Sequence, residues 1–215
     1  MKKSTAILIL SILVGVLAIM TITDKVPMHF DSNGEITRYG SRYELLIFPA
    51  IIFVLILFWE ILARVTSKGV ASGKSENELQ KAEINANMIR FVGAVTCFGV
   101  LATQIMVYLI AKLSMSTDYI KIGAGVVIGL ILIGAGYATK NTHINKAIGV
   151  RIKKTFESEE IWRKVNKKTG ITLMIIGFLV AVAAFTKIDF KIVMITAILI
   201  IVVSTFVYTA METSR

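Results

Sequence analysis

Six apolar stretches of this 215-residue chain are long enough, or nearly so, to cross a membrane as helices, which takes about twenty residues. They are residues 4–22, 45–66, 88–111, 121–138, 170–186 and 191–210. None shows the two-residue alternation of a membrane barrel strand. With 55% hydrophobic residues, the chain is predicted to be an all-α integral membrane protein with six transmembrane helices in one domain, residues 1–215.

Lysine and arginine are distributed unevenly between the two sides that six spans define. With the N-terminus in the cytoplasm, 17 of the 24 basic residues fall in cytoplasmic segments and the other seven fall outside. Basic loops stay in the cytoplasm during insertion, so both termini are predicted to be cytoplasmic. The formal net charge of +10 is then a topology signal, and direct nucleic-acid binding is not needed to explain it.

The N-terminal segment has the basic start and apolar run of a signal peptide. Its apolar part is long, and "AIMTITDK" offers no small-x-small cleavage site, so we interpret it as the first membrane helix. The single cysteine, Cys97, lies inside the third apolar run, which excludes an intramolecular disulfide.

The first outside loop, "KVPMHFDSNGEITRYGSRYE", contains Asn33 and Gly34 between two short arms. Asn-Gly tolerates the positive φ angles of a type I′ turn, so the sequence predicts a short β-hairpin. His29 lies in its first arm, and the other histidine, His143, is predicted on the opposite side of the membrane. We therefore interpret His29 as a structural hydrogen-bonding residue, and we predict no metal site and no cofactor.

The segment "NKAIGVRIKKTFESEEIWRKVNKKTG", residues 145–170, lies between the fourth and fifth apolar runs. Ser158 is a helix N-cap candidate, followed by two glutamates that suit the positive end of the helix dipole. Trp162 lies on a narrow apolar edge, which predicts an amphipathic interfacial helix with this tryptophan at the lipid headgroups. Residues 140–168 carry nine basic and three acidic side chains, so membrane lipid is an expected partner.

The apolar runs hold few groups that could do chemistry. Glu60 is the only acidic residue in them and lies four before Arg64, as in an ordinary i,i+4 ion pair. Catalysis needs paired acid–base groups, a nucleophile with its base, or a metal cluster, so no enzyme and no catalytic residue is predicted.

A small transporter or channel-like protein is the alternative interpretation, because six spans could enclose a pathway. Gln104 and Tyr108 are the most central polar pair, and interhelical hydrogen bonding is the ordinary use of such residues. Gly125 and Gly129 form a small-xxx-small pattern that permits close helix packing.

Two motifs, in this order, resemble those of the SdpI-like family of bacterial membrane proteins. The outside motif comprises Pro27, His29, Phe30, Asn33, Gly34, Gly40, Ser41 and Arg42. The inside motif comprises Asn145, Ile148, Gly149, Arg151, Thr155, Ser158 and Trp162. The chain departs from the family pattern at Arg42, where lysine is expected, at Thr37, where an acidic residue is expected, and in "RIKKTF", which replaces a proline-tryptophan pattern.

The resemblance implies a multi-pass protein of the bacterial cell membrane that confers immunity to a secreted antimicrobial peptide toxin. In the family's type member the function includes signalling, in which the toxin-engaged protein captures a transcriptional repressor at the membrane. The implied partners are therefore a peptide toxin outside and a repressor in the cytoplasm. In the inside motif, Gly149 would permit a tight backbone bend, and Arg151 would offer its planar five-donor fork to a carboxylate.

Overall fold

The computed structural model of the chain describes residues 2–23, 25–31, 35–68, 75–116 and 118–213. Within them, six long helices are all long and apolar enough to span a membrane, which confirms the predicted multi-pass all-α architecture. The helices are α1 (Lys2–Thr21), α2 (Ile47–Lys68), α3 (Glu76–Leu113), α4 (Asp118–Lys140), α5 (Glu159–Ala183) and α6 (Phe190–Thr213).

A two-stranded antiparallel hairpin connects α1 to α2, as the sequence predicts. Strand β1 (Val26–Phe30) pairs with β2 (Ile36–Gly40), and His29 lies opposite Arg38. The Asn33–Gly34 turn lies outside the described residues. A short 3₁₀ helix, Arg42–Leu46, follows the hairpin and leads directly into α2.

Helix α3 is much longer than its apolar run. Its 38 residues correspond to roughly 57 Å at 1.5 Å per residue, well beyond the hydrocarbon core, so α3 projects past the apolar layer. It begins in polar sequence with the predicted capping box, in which the Ser75 backbone N–H donates to Glu78 Oε2 at 3.1 Å.

Helix α5 corrects one prediction, because the amphipathic segment is not a separate interfacial helix. Ser158 Oγ accepts the N–H of Ile161 at 3.1 Å, as expected of an N-cap, but the helix then runs without a break to Ala183. Trp162 is completely buried and so does not lie at the lipid headgroups. Its indole Nε1 donates to the carbonyl of Thr142 at 2.9 Å, which shows that its partner is the chain's own loop.

Helices α4 and α5 pack closely through glycines, as the small-residue pattern of α4 predicts. A Cβ on Gly129 would lie 2.5 Å from the carbonyl oxygen of Gly177, and one on Gly136 would lie 2.5 Å from that of Gly170. The two contacts are seven residues apart on both helices, the spacing at which a helical face repeats along a packed pair. The contribution of α5 to this glycine contact was not predicted.

Gln104 joins three elements inside the apolar layer, which confirms its interpretation as an interhelical hydrogen-bonding residue. Its Nε2 donates to the carbonyls of Ser11 at 3.0 Å and Leu45 at 3.3 Å. The residue four after Leu45 is Pro49, which has no N–H to offer that carbonyl in a helix. The fully buried Gln104 amide satisfies it instead.

Glu60 forms the predicted ion pair with Arg64, with Arg64 Nε 2.9 Å from Glu60 Oε1. It also accepts from Arg90 on α3, whose Nε lies 3.0 Å from Glu60 Oε2. The carboxylate therefore ties α2 to α3, a structural role.

Candidate functional site

The two motif-bearing segments lie at opposite ends of the helices. We call residues 25–46, which connect α1 to α2, the hairpin end, and residues 141–166, which connect α4 to α5 and include its first turns, the loop cap. Because successive long helices run in alternating directions, the α1–α2 and α4–α5 connections fall on opposite sides.

The loop cap begins with a tight turn that Asn145 organises. Asn145 Oδ1 accepts the backbone N–H groups of Ala147 at 2.7 Å and Ile148 at 2.8 Å, and its Nδ2 donates to His143 O at 2.8 Å. Asparagine side chains form such turns because the amide can replace backbone partners two or three residues away. Ile148 then packs on the apolar cluster between α2 and α3.

Gly149 lies at the bend that follows, with a φ of +106°. A Cβ at this position would lie 2.7 Å from Asn166 Oδ1 and 2.8 Å from Cζ2 of Trp162. Asn166 Oδ1 accepts the N–H of Val150 at 2.6 Å, so backbone and amide approach closely here. Only glycine combines this backbone conformation with this approach.

Thr155 and Trp162 form the buried interior of the loop cap. The Thr155 hydroxyl lies 2.8 Å from the carbonyls of both Val150 and Ile152. The ring of Phe156 packs against Trp162 with centroids 5.5 Å apart. Thr155 and Trp162 are both completely inaccessible to solvent, so these motif residues specify the shape of the loop cap.

Arg151 is the one exposed member of the inside motif. Its Nη1 donates to the carbonyl of Lys146 at 2.7 Å, which holds the side chain along the loop. This bond uses one of the five N–H donors of a guanidinium.

Two asparagines that sequence reasoning missed, Asn85 and Asn166, help to attach the loop cap to the helices, together with a bond between His143 and Glu159. Asn85 of α3 accepts the backbone N–H of His143 at 2.9 Å, and His143 Nδ1 lies 2.7 Å from Glu159 Oε1. Asn166 of α5 is fully buried, and its Nδ2 donates to Trp162 O at 2.9 Å. The only sequence signal for the two asparagines was an amide within a helix, which does not identify its partner.

Part of the positive charge of this region is used inside the protein, in ion pairs with Glu212. Glu212, near the end of α6, has only 5% of its side chain exposed. Lys168 Nζ lies 2.5 Å from its Oε1, and Lys164 Nζ lies 3.8 Å from its Oε2. These pairs fasten α6 to α5.

A cavity of about 650 Å³ opens between the loop cap and the neighbouring ends of α2 and α3. Its lining combines apolar side chains such as Val65 and Phe156 with the charged pair Lys81 and Glu159, whose Nζ and Oε2 are 3.7 Å apart.

At the hairpin end, His29 is exposed and its Nδ1 is hydrogen-bonded to Thr37 Oγ1 on the neighbouring strand. Threonine thus provides a hydrogen-bonding partner at the position where the resemblance leads one to expect an acidic residue. Pro27 is buried, and Phe30 packs on the apolar cluster of α1, the 3₁₀ helix and α3, so this edge of the hairpin faces the helices.

Gly40 and Ser41 form the junction between β2 and the 3₁₀ helix. Glu44 Oε1 accepts the Ser41 backbone N–H at 2.9 Å, and Glu44 Oε2 accepts from Arg38 Nη1 at 2.9 Å. A Cβ on Gly40 would lie 2.3 Å from Glu44 Oε1, so glycine leaves room for the carboxylate. Sequence reasoning did not single out Glu44 or Arg38.

Basic side chains from other elements cap the end of α1. Arg42 Nη1 donates to Ile22 O at 2.9 Å, and Lys112 Nζ donates to Thr21 O at 2.7 Å. Cations suit the terminal carbonyls of a helix because these carry its negative dipole end. Tyr108 forms a 3.2 Å hydrogen bond with Thr21 Oγ1. Like Gln104, the other polar residue of the predicted pair, it therefore bonds to another helix.

The described residues contain no group of three histidine, cysteine or acidic side chains placed to hold a metal ion. Instead, the fold and its two ends define a six-helix, multi-pass membrane protein whose structured connections lie at opposite ends of the bundle.

Comparison with known proteins agrees with this class. The model of the SdpI/YfhL protein family matches residues 141–211, and that of a domain of unknown function (DUF1648) matches residues 6–53. "Immunity protein SdpI" of Bacillus subtilis (strain 168) is 23% identical over 95% of this chain and 93% of its own length. The chain is therefore similar to proteins of the SdpI/YfhL family in its last third and to an immunity protein over most of its length. No solved structure matches.

Proposed function

We propose that the chain is a membrane immunity protein that gives its host resistance to a secreted antimicrobial peptide toxin. The observation that carries the proposal is the similarity over 95% of the chain to a protein named for immunity. The two structured ends each lie within a family match, the hairpin end within residues 6–53 and the loop cap within residues 141–211, and this supports the proposal.

In this proposal the hairpin end faces outward and contacts the peptide, while the loop cap faces the cytoplasm. The excess of basic residues on the loop-cap side favours this orientation. The hairpin offers exposed side chains of several kinds for contact, among them His29, Arg38 and Tyr39.

Expression of the intact chain in a toxin-sensitive host tests the immunity function. We expect survival to rise against a membrane-active peptide toxin while the peptide in the medium stays intact, as mass spectrometry of the supernatant would show. Cleavage of the peptide, or no protection against any such toxin at normal membrane abundance, would contradict the proposal.

Cysteine labelling tests the orientation separately. In a Cys97→Ala background, a single cysteine at the exposed Tyr39 should react with an impermeant maleimide in intact cells. One at the exposed Glu157 should react only after the membrane is opened. The reverse pattern would invert the topology.

The proposal also includes a cytoplasmic partner, a transcriptional repressor recruited to the loop cap when toxin is bound. The exposed Arg151 and the adjoining 650 Å³ cavity, with its mixed apolar and charged lining, offer a surface of the kind that such a partner needs.

Arg151→Lys keeps the charge but loses the planar fork, so it should reduce toxin-dependent co-fractionation of the repressor with membranes. Lys167→Gln, also exposed, is the matched control and should have little effect. Because Arg151→Lys also weakens the bond to Lys146, membrane abundance and thermal unfolding are compared in parallel. Equal co-fractionation of the repressor with the two variants would indicate that the loop cap has a structural role only.

A further inference from the structure

A cavity of about 570 Å³ lies at the hairpin end, between the end of α1 and the start of the 3₁₀ helix. Two cations line it, Lys25 and Arg42, together with hydroxyl-bearing residues that include Thr23, Tyr39 and Ser41. Tyr39 is also among the side chains proposed to contact the peptide, but neither Lys25 nor Arg42 has a role in the immunity proposal.

The one carboxylate among the described residues that line the cavity, Glu44, already has partners. Its two oxygens accept from the Arg38 guanidinium and from the Ser41 backbone N–H, both at 2.9 Å. Arg38 therefore offsets the charge of Glu44, so that among the described residues lining the cavity Lys25 and Arg42 remain as a positive pair.

Arg42 is held in a fixed position. Its Nη1 donates to Ile22 O at 2.9 Å, and its guanidinium carbon lies 5.4 Å from the centre of the Tyr43 ring. A planar guanidinium oriented in this way can present its other N–H groups to a phosphate oxygen with little loss of side-chain entropy.

The position of the cavity along the spans points to its ligand. It lies where α1 ends and the chain re-enters the apolar layer, the level of lipid headgroups in a spanning protein. Tyr39 and Tyr43 are 54% and 57% exposed there, like the aromatic side chains that border a bilayer. We propose that this cavity binds the anionic phosphate headgroup of a membrane phospholipid.

Native mass spectrometry of the full chain in detergent tests the proposal with phosphatidylglycerol and, as a zwitterionic comparison, phosphatidylcholine. We expect the wild-type chain to retain phosphatidylglycerol preferentially. Lys25→Gln and Arg42→Gln should each lower the affinity for phosphatidylglycerol about fivefold, the effect of one cation beside an anionic headgroup. Lys187→Gln is the matched control, because Lys187 is exposed at the same end of the bundle but does not line the cavity.

If Arg42→Gln destabilises the end of α1, Lys25→Gln still tests the proposal, because Lys25→Gln leaves the bond from Arg42 to Ile22 in place. Equal retention of the two lipids by the wild type, or unchanged retention by Lys25→Gln, would overturn the proposal. Inorganic phosphate is added in a separate arm. Displacement of phosphatidylglycerol by millimolar phosphate would identify free phosphate as the ligand and contradict a lipid site, whereas no displacement supports it.

Discussion

The loop cap and the hairpin end both carry motif residues, but several of these residues differ in burial between the two ends. In the loop cap, Trp162, Thr155 and the supporting Asn166 are completely buried and bonded to backbone groups. At the hairpin end, His29 and Ser41 are exposed, and their bonds are accessible to water. Motif residues of the first kind specify a local fold, whereas those of the second kind are available to a partner.

The same contrast applies to glycine. Gly149 needs a positive φ and faces a buried amide and an indole ring, neither of which has room to move. Gly40 faces only the end of the flexible Glu44 side chain, and its φ lies outside the left-handed region. Replacing Gly149 and Gly40 with alanine should therefore lower the stability of the protein by different amounts.

Gly149→Ala is expected to have the largest effect on stability, a loss of about 3 kcal/mol from backbone strain together with the displaced amide. Gly40→Ala, its matched control at the hairpin end, should cost only about 1 kcal/mol because Glu44 can swing away. Thermal unfolding of the purified proteins in detergent measures both. Equal losses would remove the distinction between the two ends.

Asn166→Ala is next, with an expected loss of about 2 kcal/mol. The change leaves the Val150 N–H without its acceptor in the interior of the loop cap, and an unmade hydrogen bond is costly where water cannot replace it. Asn87→Ala removes an amide from an exposed position on α3 and should change stability by less than about 0.5 kcal/mol. A small loss of stability in Asn166→Ala would mean that water reaches the interior of the loop cap and replaces the lost acceptor.

Much of the fold could be predicted because its signals are local. Six apolar runs of spanning length identify the helices, and Ser158 identifies the start of α5 through interactions within one turn. The Asn33–Gly34 pair predicts the hairpin even though that turn lies outside the described residues. These signals do not depend on which other part of the chain lies nearby.

The loop cap could not be predicted in detail because its partners are distant in sequence. The bond from Trp162 to Thr142 spans 20 residues, and that from His143 to Asn85 spans 58. A tryptophan on the apolar edge of a basic helix is equally suited to a bilayer or to the chain's own loop, and only the tertiary contact distinguishes the two. Likewise, Lys168 resembles a lipid-facing cation until Glu212, 44 residues later, is placed beside it.

Helix caps provide a smaller test of the two ends. Ser158→Ala should cost about 1 kcal/mol because Ser158 Oγ accepts the Ile161 N–H at 3.1 Å at the start of a long helix. Ser41→Ala should cost less than about 0.5 kcal/mol, since its side-chain bond is 3.4 Å long and the Glu44 contact with the backbone remains. The same unfolding measurement compares them, and a larger loss at Ser41 would show that its cap controls entry into α2.

His29→Ala should have the smallest effect on stability, within about 0.5 kcal/mol, because the side chain is exposed and bonded only across the hairpin surface. Under the immunity proposal it should nevertheless lower protection about tenfold in toxin concentration, the effect of losing one contact worth about 1.4 kcal/mol. Thr37→Val separates contact from structure, because it removes the same hydrogen bond, keeps the imidazole and suits a strand. Protection close to wild type in Thr37→Val, with loss in His29→Ala at equal membrane abundance, would assign His29 to peptide contact. Equal loss in both would show that the bond between them shapes the hairpin and that the imidazole itself is not recognised.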